Sequence, residues 1–580
     1  MRTNEIVHIN GRYKKIDCDL IDQCHVCIRL KTGKDIRRVE VVYNDPYIRY
    51  EGSDGLVWPN YVVDMERTGE TFDSYYFSVV LPCESHRLKY YFKIYDDYEC
   101  LQFSESGFTK NYRDDDLSMF FIPYITESNI FKEPKWVGNV VWYQIMPTRF
   151  NKNLRGVIDK LDYLKELGIN GLYLNPIYYA HSYHKYDVID YMQVDPELGT
   201  EKDFKELCDK AHDLGMKVML DISFTHCSDE NEMFKDAIEK RKQSEYWPMF
   251  KIEEDKQGHL RYEMFGMIRS MPKFETENFK TADYFINKVV KKWMELGVDA
   301  WRLDVANEIS DGMLLRLNNY IHNYKEETYI VGEIWHNATE WISNNALDGV
   351  TNYAVSRAIL AFVCDPNHDI WKYRSSIDEL MHAYTLKQLK SSMPLLDSHD
   401  TPRIRNICQN DKDKVKLCLL LLLTFYGTPS IYYGTERYME GGSDPDNRRP
   451  TNWKEPEESY EDVYYMTQLL IKLRKEHPVL ANEGNIEWIH HNELLIMKRA
   501  NENETLYIVV NTKEYTLNTM LPMQNEFINI INNDTIYTKT GLYDSKTSEL
   551  KPTFFDHRPI LKDFEHKKHY KIPRWSKKTG

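Results

Sequence analysis

Between about residue 140 and residue 435 one unit recurs: an amphipathic helix closing on Leu-Gly, two or three residues, then an apolar run that ends in a polar group. Three copies stand out, KELGINGLYLN, HDLGMKVMLD and MELGVDAWRLD. Helices alternating with buried strands build parallel βα units. In the first helix Val157, Leu161, Leu164 and Leu167 recur at helical spacing, and Gly168 supplies the stop. The second opens at Thr200 with Asp203 three residues on, a capping-box-like start, and ends at Gly215. Strand candidates fall near 141, 170, 217, 299, 329, 348, 393 and 430, and eight of them predict an α/β fold of the (β/α)8 TIM barrel type. About 50 residues separate the third strand from a helix starting near Thr281, too many for an ordinary βα loop, so an inserted subdomain is expected over about 227–279.

At 580 residues the chain exceeds what one core usually covers, and its flanks change pattern. Residues 1–125 alternate apolar and polar residues between turn signals, as in HVCIRLKTGKDIRRVEVVY and RLKYYFKIYDD, and predict an antiparallel β-sandwich. The barrel is expected over 126–480, a second β-sandwich over 481–565, and a basic tail, HKKHYKIPRWSKKTG, over 566–580.

A balance of 75 Lys and Arg against 90 Asp and Glu gives net charge -15, which opposes binding to nucleic acid or an anionic membrane. The N-terminus lacks the apolar run of a signal peptide, and Leu417–Phe425 is too short to span a bilayer; a soluble, cytoplasmic protein is expected. Ten cysteines are too sparse for a disulfide scaffold, and Cys208 and Cys418 sit inside apolar patterns, so reduced thiols are expected. Cys24 and Cys27 form a CxxC, but CHVCIRL alternates like a strand and no second pair stands at zinc spacing.

In such barrels reactive groups gather at the C-terminal strand ends, and four of these carry acids: Asp221, Asp304, Glu333 and Asp400. A single acid there is more often a helix cap; four from different strands point to chemistry. Hydrolysing a glycosidic bond with retention takes one ionised and one protonated carboxyl about 5–5.5 Å apart, a spacing that neighbouring fourth and fifth strands can meet. Arg302, two residues before Asp304, shares its face of the strand and would hold it ionised, as a nucleophile requires. Trp335, two residues after Glu333, would wall that carboxyl from water and favour its protonated form, as an acid requires. His226 and His399 could hydrogen-bond sugar hydroxyls, and Tyr186 could lie flat beneath the ring.

At these residues the chain resembles the alpha-amylase superfamily, in particular its branch of neopullulanases, cyclomaltodextrinases and maltogenic amylases. HKYDVIDY near 184, DISFTH at 221, MPKFETEN at 271, AWRLDVANE at 300, GEIWH at 332, LLDSHDTPR at 395, GTPSIYYGTE at 427 and GGSDPDNRRP at 441 carry the likeness, which spans about residues 1–520. The resemblance implies Asp304 as nucleophile, Glu333 as acid/base and Asp400 as the acid that binds ring hydroxyls. It implies sugar binding by Asp187, His226, Arg302 and His399, with Tyr186, Trp335, Asp446 and Arg448 as further substrate-binding residues. The implied substrates are maltooligosaccharides, cyclodextrins or pullulan, cut at α-1,4 bonds, with α-1,6 cleavage left open. Transglycosylation, exo-acting α-glucosidase activity and non-catalytic glycan binding are the alternatives. The N-terminal domain would be the branch's extra β-sandwich, through which relatives can pair as homodimers.

Three departures are visible. Thr225 stands where many relatives carry an Asn that binds calcium in some amylases, and Phe274-Glu275 replaces the branch's usual Leu-Asn. TRFNKNLRGVIDKL runs almost directly from the first strand into its helix, omitting an oxygen-rich calcium loop. No metal and no cofactor are expected.

Overall fold

Eight short strands form one parallel sheet in the computed structural model: β1 (Trp142–Ile145), β2 (Gly171–Leu174), β3 (Lys217–Ser223), β4 (Ala300–Asp304), β5 (Tyr329–Gly332), β6 (Gly349–Asn352), β7 (Met393–Pro394) and β8 (Ser430–Tyr432). Consecutive strands pair from β1 to β7, β1 also pairs with β8, and a parallel bridge from Leu395, just past β7, to Ser430 brings the sheet round to closure. The structure describes residues 1–10, 17–52, 55–111, 118–343, 345–454 and 460–512, with strand backbone at 518–520, 526–529, 535–537, 542–544 and 553–556. The basic tail expected at 566–580 lies outside the described residues. Among the described residues no helix is long and apolar enough to cross a membrane.

Side chains alternate across each strand, so every second residue enters the barrel. Along β4 these are Ala300, Arg302 and Asp304; along β5 and just beyond it, Tyr329, Val331 and Glu333. Ala300, Tyr329 and Val331 pack with Trp142, Tyr173, Met219 and Met393 into an apolar plug at the N-terminal end. The charged residues of the same series are thereby left at the C-terminal end.

The helix containing Glu201–Asp213, α1, carries the expected box, with Thr200 and Asp203 capping each other, and ends before Gly215 at φ +73°. The helix expected across Val157–Leu167 is instead two pieces, Leu154–Ile158 and Leu161–Leu167, because the backbone leaves the helical region at Lys160 (φ -111°, ψ 5°). Its approach from β1 is tight: a Cβ on Gly156 would fall 1.7 Å from the Asn151 carbonyl oxygen, so only glycine fits there. The helix expected near Thr281 starts at Phe279 under an Asn278 cap and passes through a π-helical stretch, Phe285–Val290. The segment after β3 holds a helix, Glu232–Lys240, and a small hairpin, Ile252–Glu254 with Leu260–Tyr262.

Two compact units divide the chain. One comprises Met1–Glu133 with Asn337–Asp348 and Trp371–Leu389. Its core lies between two antiparallel sheets, where alternate residues Val26, Ile28 and Leu30 of one strand and Tyr90, Phe92 and Ile94 of another are buried together. The barrel and the described residues from Lys390 on form the other unit, so the C-terminal strands group with the barrel. Arg499, on the strand Leu495–Ala500, accounts for this: its buried guanidinium donates to the carbonyls of Thr424, Leu480, Ala481 and Gly484.

Asp299, just ahead of β4, shows how charge braces the barrel's lower rim. Its carboxylate accepts hydrogen bonds from His212 of α1 (2.7 Å), the Val218 amide of β3 (3.0 Å) and Lys325 (2.8 Å). Burial opposes its ionisation, but the bonds from His212 and Lys325 overcome this and hold its pKa well below the usual range. A depressed carboxylate stabilises the fold above its unfolded pKa of about 3.9, and that contribution is lost as pH falls through the folded value. Asp299→Asn is therefore expected to cost about 3 kcal/mol at neutral pH. In urea melts the gap between variant and parent narrows once the pH drops below about 4; an equal deficit at both pH values would rule out the ionic contribution.

Candidate active site

One guanidinium organises the acids at the top of the barrel. Arg302 is 1% exposed; its Nη1 donates to both oxygens of Asp221 (2.8 and 3.0 Å) and to Asp304 Oδ1 (2.9 Å), while Nη2 lies 2.8 Å from Glu333 Oε2. The strand register makes this possible: Asp221 of β3 lies directly beside Arg302 of β4, and Ser223 beside Asp304. The Glu333 amide then bonds the Leu303 carbonyl at 2.9 Å, which sets its side chain next to that of Asp304.

Val305 follows Asp304 at φ 45°, ψ 49°, a left-handed conformation that costs a β-branched residue about 1–3 kcal/mol. In this conformation its N–H donates to Glu333 Oε2 at 3.1 Å. Backbone strain is thus spent on aiming a donor at Glu333. Trp335 donates from Nε1 to Glu333 Oε1 at 3.0 Å, and its ring stacks on Tyr353 with centroids 3.9 Å apart. The expected apolar wall over Glu333 is corrected: Trp335 offers that carboxyl its N–H, and its ring face goes to Tyr353.

A relay of hydrogen bonds positions His399 and Tyr186. The Gln144 amide donates to His399 Nδ1 (2.8 Å), leaving the proton on Nε2, which donates to the Tyr186 hydroxyl (2.8 Å); Tyr186 donates to Asp221 Oδ2 (2.7 Å). Tyr173 adds a second phenolic donor to Asp221 at 2.9 Å. The Tyr186 and His399 rings lie nearly parallel, 8° apart, so the Tyr186 ring is fixed in orientation. Burial, with Arg302 and Arg448 nearby, pushes His399 well below its ordinary pKa, and burial takes His226 down to about 3, so both imidazoles are neutral at physiological pH. His226 is held through Nδ1 by Thr225 (2.9 Å) and stacks on Phe265 of the inserted segment at 4.4 Å; its Nε2 is buried with no protein partner.

Asp400 lies 3.1 Å from His399 Nε2 and accepts from Arg448 Nη2 at 3.2 Å. Arg448 also donates to the His399 carbonyl (2.7 Å) and Tyr183 hydroxyl (3.2 Å). Three acids thus share the Arg302 guanidinium, while Asp400 pairs with Arg448. Burial raises Asp304 well above the carboxylate range and Asp221 to about 6, Arg302 opposing both, and burial raises Asp400 against the pull of Arg302 and Arg448. A site so charged opposes full ionisation of its carboxyls.

Two sequence candidates lie apart from this network. Asp446 pairs with Arg449 (2.7 Å) and accepts from the Gly442 amide; its loop presents Asp444 to Tyr183 and Arg448 instead. Asp187 accepts from the amide and hydroxyl of Ser182 and braces its own loop. Phe274 is buried between Phe250 and Phe285, in core packing. Sequence reasoning missed Gln144, Tyr173 and Tyr353; each lies in or directly after a barrel strand, the one signal that could have found them.

Known proteins agree with this architecture. Residues 144–459 match the family described as alpha amylase, catalytic domain, and residues 1–126 the alpha amylase N-terminal ig-like domain. A maltogenic alpha-amylase of Bacillus acidopullulyticus is 37% identical over 83% of this chain and 88% of its own length. A cyclomaltodextrinase of Geobacillus thermopakistaniensis is 34% identical over 86% of this chain and 89% of its own. Among solved structures, a cyclomaltodextrinase superposes with TM-score 0.84 at 27% identity, covering 96% of this chain and 98% of that one.

Proposed function

The chain belongs to the alpha-amylase family, and from that premise we propose that it hydrolyses α-1,4-glucosidic bonds of maltooligosaccharides, cyclodextrins or pullulan with retention of anomeric configuration. One observation carries the reading: the carboxyls of Asp304 and Glu333, from adjacent strands, occupy the two terminal nitrogens of a single guanidinium. That shared anchor sets the two carboxyls side by side, which supports the retaining arrangement, where they stand about 5–5.5 Å apart.

Asp304 attacks the anomeric carbon and forms a glycosyl-enzyme ester while Glu333 gives its proton to the departing oxygen. Glu333 then takes a proton from water, and that water displaces Asp304 from the sugar. Asp400 and the unpaired Nε2 of His226 hydrogen-bond ring hydroxyls, and Tyr186, held in place by His399, lies under the ring. Trp335, 47% exposed on its Tyr353 support, offers an aromatic face to the next sugar. The N-terminal module pairs the chain as a homodimer. A cytoplasmic location is supported by ten unpaired thiols, including Cys364 and Cys408 with sulfurs 3.4 Å apart, the state that a reducing compartment maintains.

Product chromatography on maltotriose, cyclodextrin and pullulan, with NMR of the first-formed anomer, tests the reading. Short α-anomeric maltooligosaccharides are expected. β-Anomeric product would defeat retention; glucose alone would mean an exo-acting glucosidase, and products longer than the substrate a transglycosylase.

A further inference from the structure

Three cysteines of the barrel unit meet outside the carboxylate site. Cys364 is the last residue of α2 (Tyr353–Cys364), Cys408 ends α3 (Ile404–Ile407), and Cys418 lies within α4 (Lys412–Leu423). Their sulfurs all fall within 4.8 Å of one another, Cys364 to Cys408 being 3.4 Å. Among the described residues these three are the group of potential metal ligands that converges in this way.

We propose that Cys364, Cys408 and Cys418 form a three-thiolate site for a thiophilic d10 cation, Cu(I) or Zn(II). A cation bonded to three sulfurs at about 2.3 Å spaces them about 4 Å apart, inside the range seen here. Soft thiolate donors select such ions over calcium or magnesium. Cys408 and Cys418 are buried and Cys364 is only partly so, which leaves one edge open for entry. Each metal–sulfur bond replaces an S–H; up to three protons leave and no oxidation state changes. The competing reading, three small side chains filling a core, accounts for burial in the Leu-rich α4 but not for convergence from three helices. Occupancy would join α2, α3 and α4. α3 follows the Asp400 loop directly, its first amide bonded to Asp397 at 3.0 Å.

The reduced full-length protein, stripped of metal, is titrated anaerobically with Zn(II), Cd(II) and Cu(I) in separate arms. Thiolate-to-metal charge-transfer absorption with Cd(II) and Cu(I), saturating at one ion per chain, and a raised melting temperature are expected. Cys364→Ser and Cys418→Ser should each weaken binding at least about 100-fold, more than loss of an outer-shell partner does. Cys100→Ser, at an exposed thiol of the other unit, should change nothing. Tighter Cu(I) than Zn(II) binding would assign a trigonal all-sulfur site, the reverse a zinc site completed by water. The proposal fails if no band appears at stoichiometric metal, or if the band survives both serine variants. Cys364→Ser, at a partly exposed helix end, keeps the test open should Cys418→Ser not fold.

Discussion

Asp304→Asn is expected to lower kcat on a maltooligosaccharide by at least about 10⁴-fold while leaving the protein no less stable than its parent. Asparagine keeps the shape of the side chain but cannot form the glycosyl ester, so the first half-reaction loses its nucleophile. The stability side follows from the electrostatics. Burial raises the Asp304 pKa, with Arg302 opposing and Glu333, Asp221 and Asp400 adding to the rise. A carboxyl raised in the folded state favours folding fully below its unfolded pKa, and this advantage is lost as pH climbs through the folded value. At neutral pH an ionised Asp304 therefore works against the fold, and Asn removes that cost while Arg302 keeps Asp221 and Glu333. Paired activity assays and thermal melts check both halves. A variant that is active refutes the assignment, and one that is inactive but much less stable points to a structural role.

The barrel was legible because its strands are buried on both faces and end where polarity changes: all eight expected positions hold strands. The four acids could be located for the same reason, since a polar residue closing an apolar run is where a parallel strand meets solvent. What could not be read was reach. Arg302 was expected to serve Asp304, two residues away, yet it binds acids of three strands, which depends on lateral register rather than local spacing. The direction of the Trp335 indole depends on Tyr353 at the mouth of the next strand, and Asp446 turned to Arg449 where Asp444 took Arg448. Cys364 and Cys408 are 44 positions apart on different helices, so no motif could have announced the thiol cluster. The long inserted segment was recognisable only by its excess length, and its links to the site, Phe265 stacked on His226 and the backbone bridge from Lys273 to His226, are tertiary contacts.

Glu333→Gln separates the two proton-transfer duties of one carboxyl. With an ordinary glucan the leaving sugar oxygen is strongly basic and needs a proton as the bond breaks, so kcat/KM is expected to fall by about 10²–10⁴-fold. An aryl maltoside whose phenolate leaves unaided needs no such proton, and its kcat/KM should fall far less. The glycosyl-enzyme would then accumulate, because no base deprotonates the incoming water, and a burst of phenolate equal to the enzyme concentration should precede slow turnover. Glutamine can keep its oxygen on the Val305 amide and gives up the bond from Trp335, whose ring stays stacked on Tyr353. If glucan and activated aryl glycoside instead lose activity equally, with no burst, Glu333 shapes the site without handling the proton, and the donor must be sought among the other buried carboxyls, Asp221 first, since its pKa is raised to about 6.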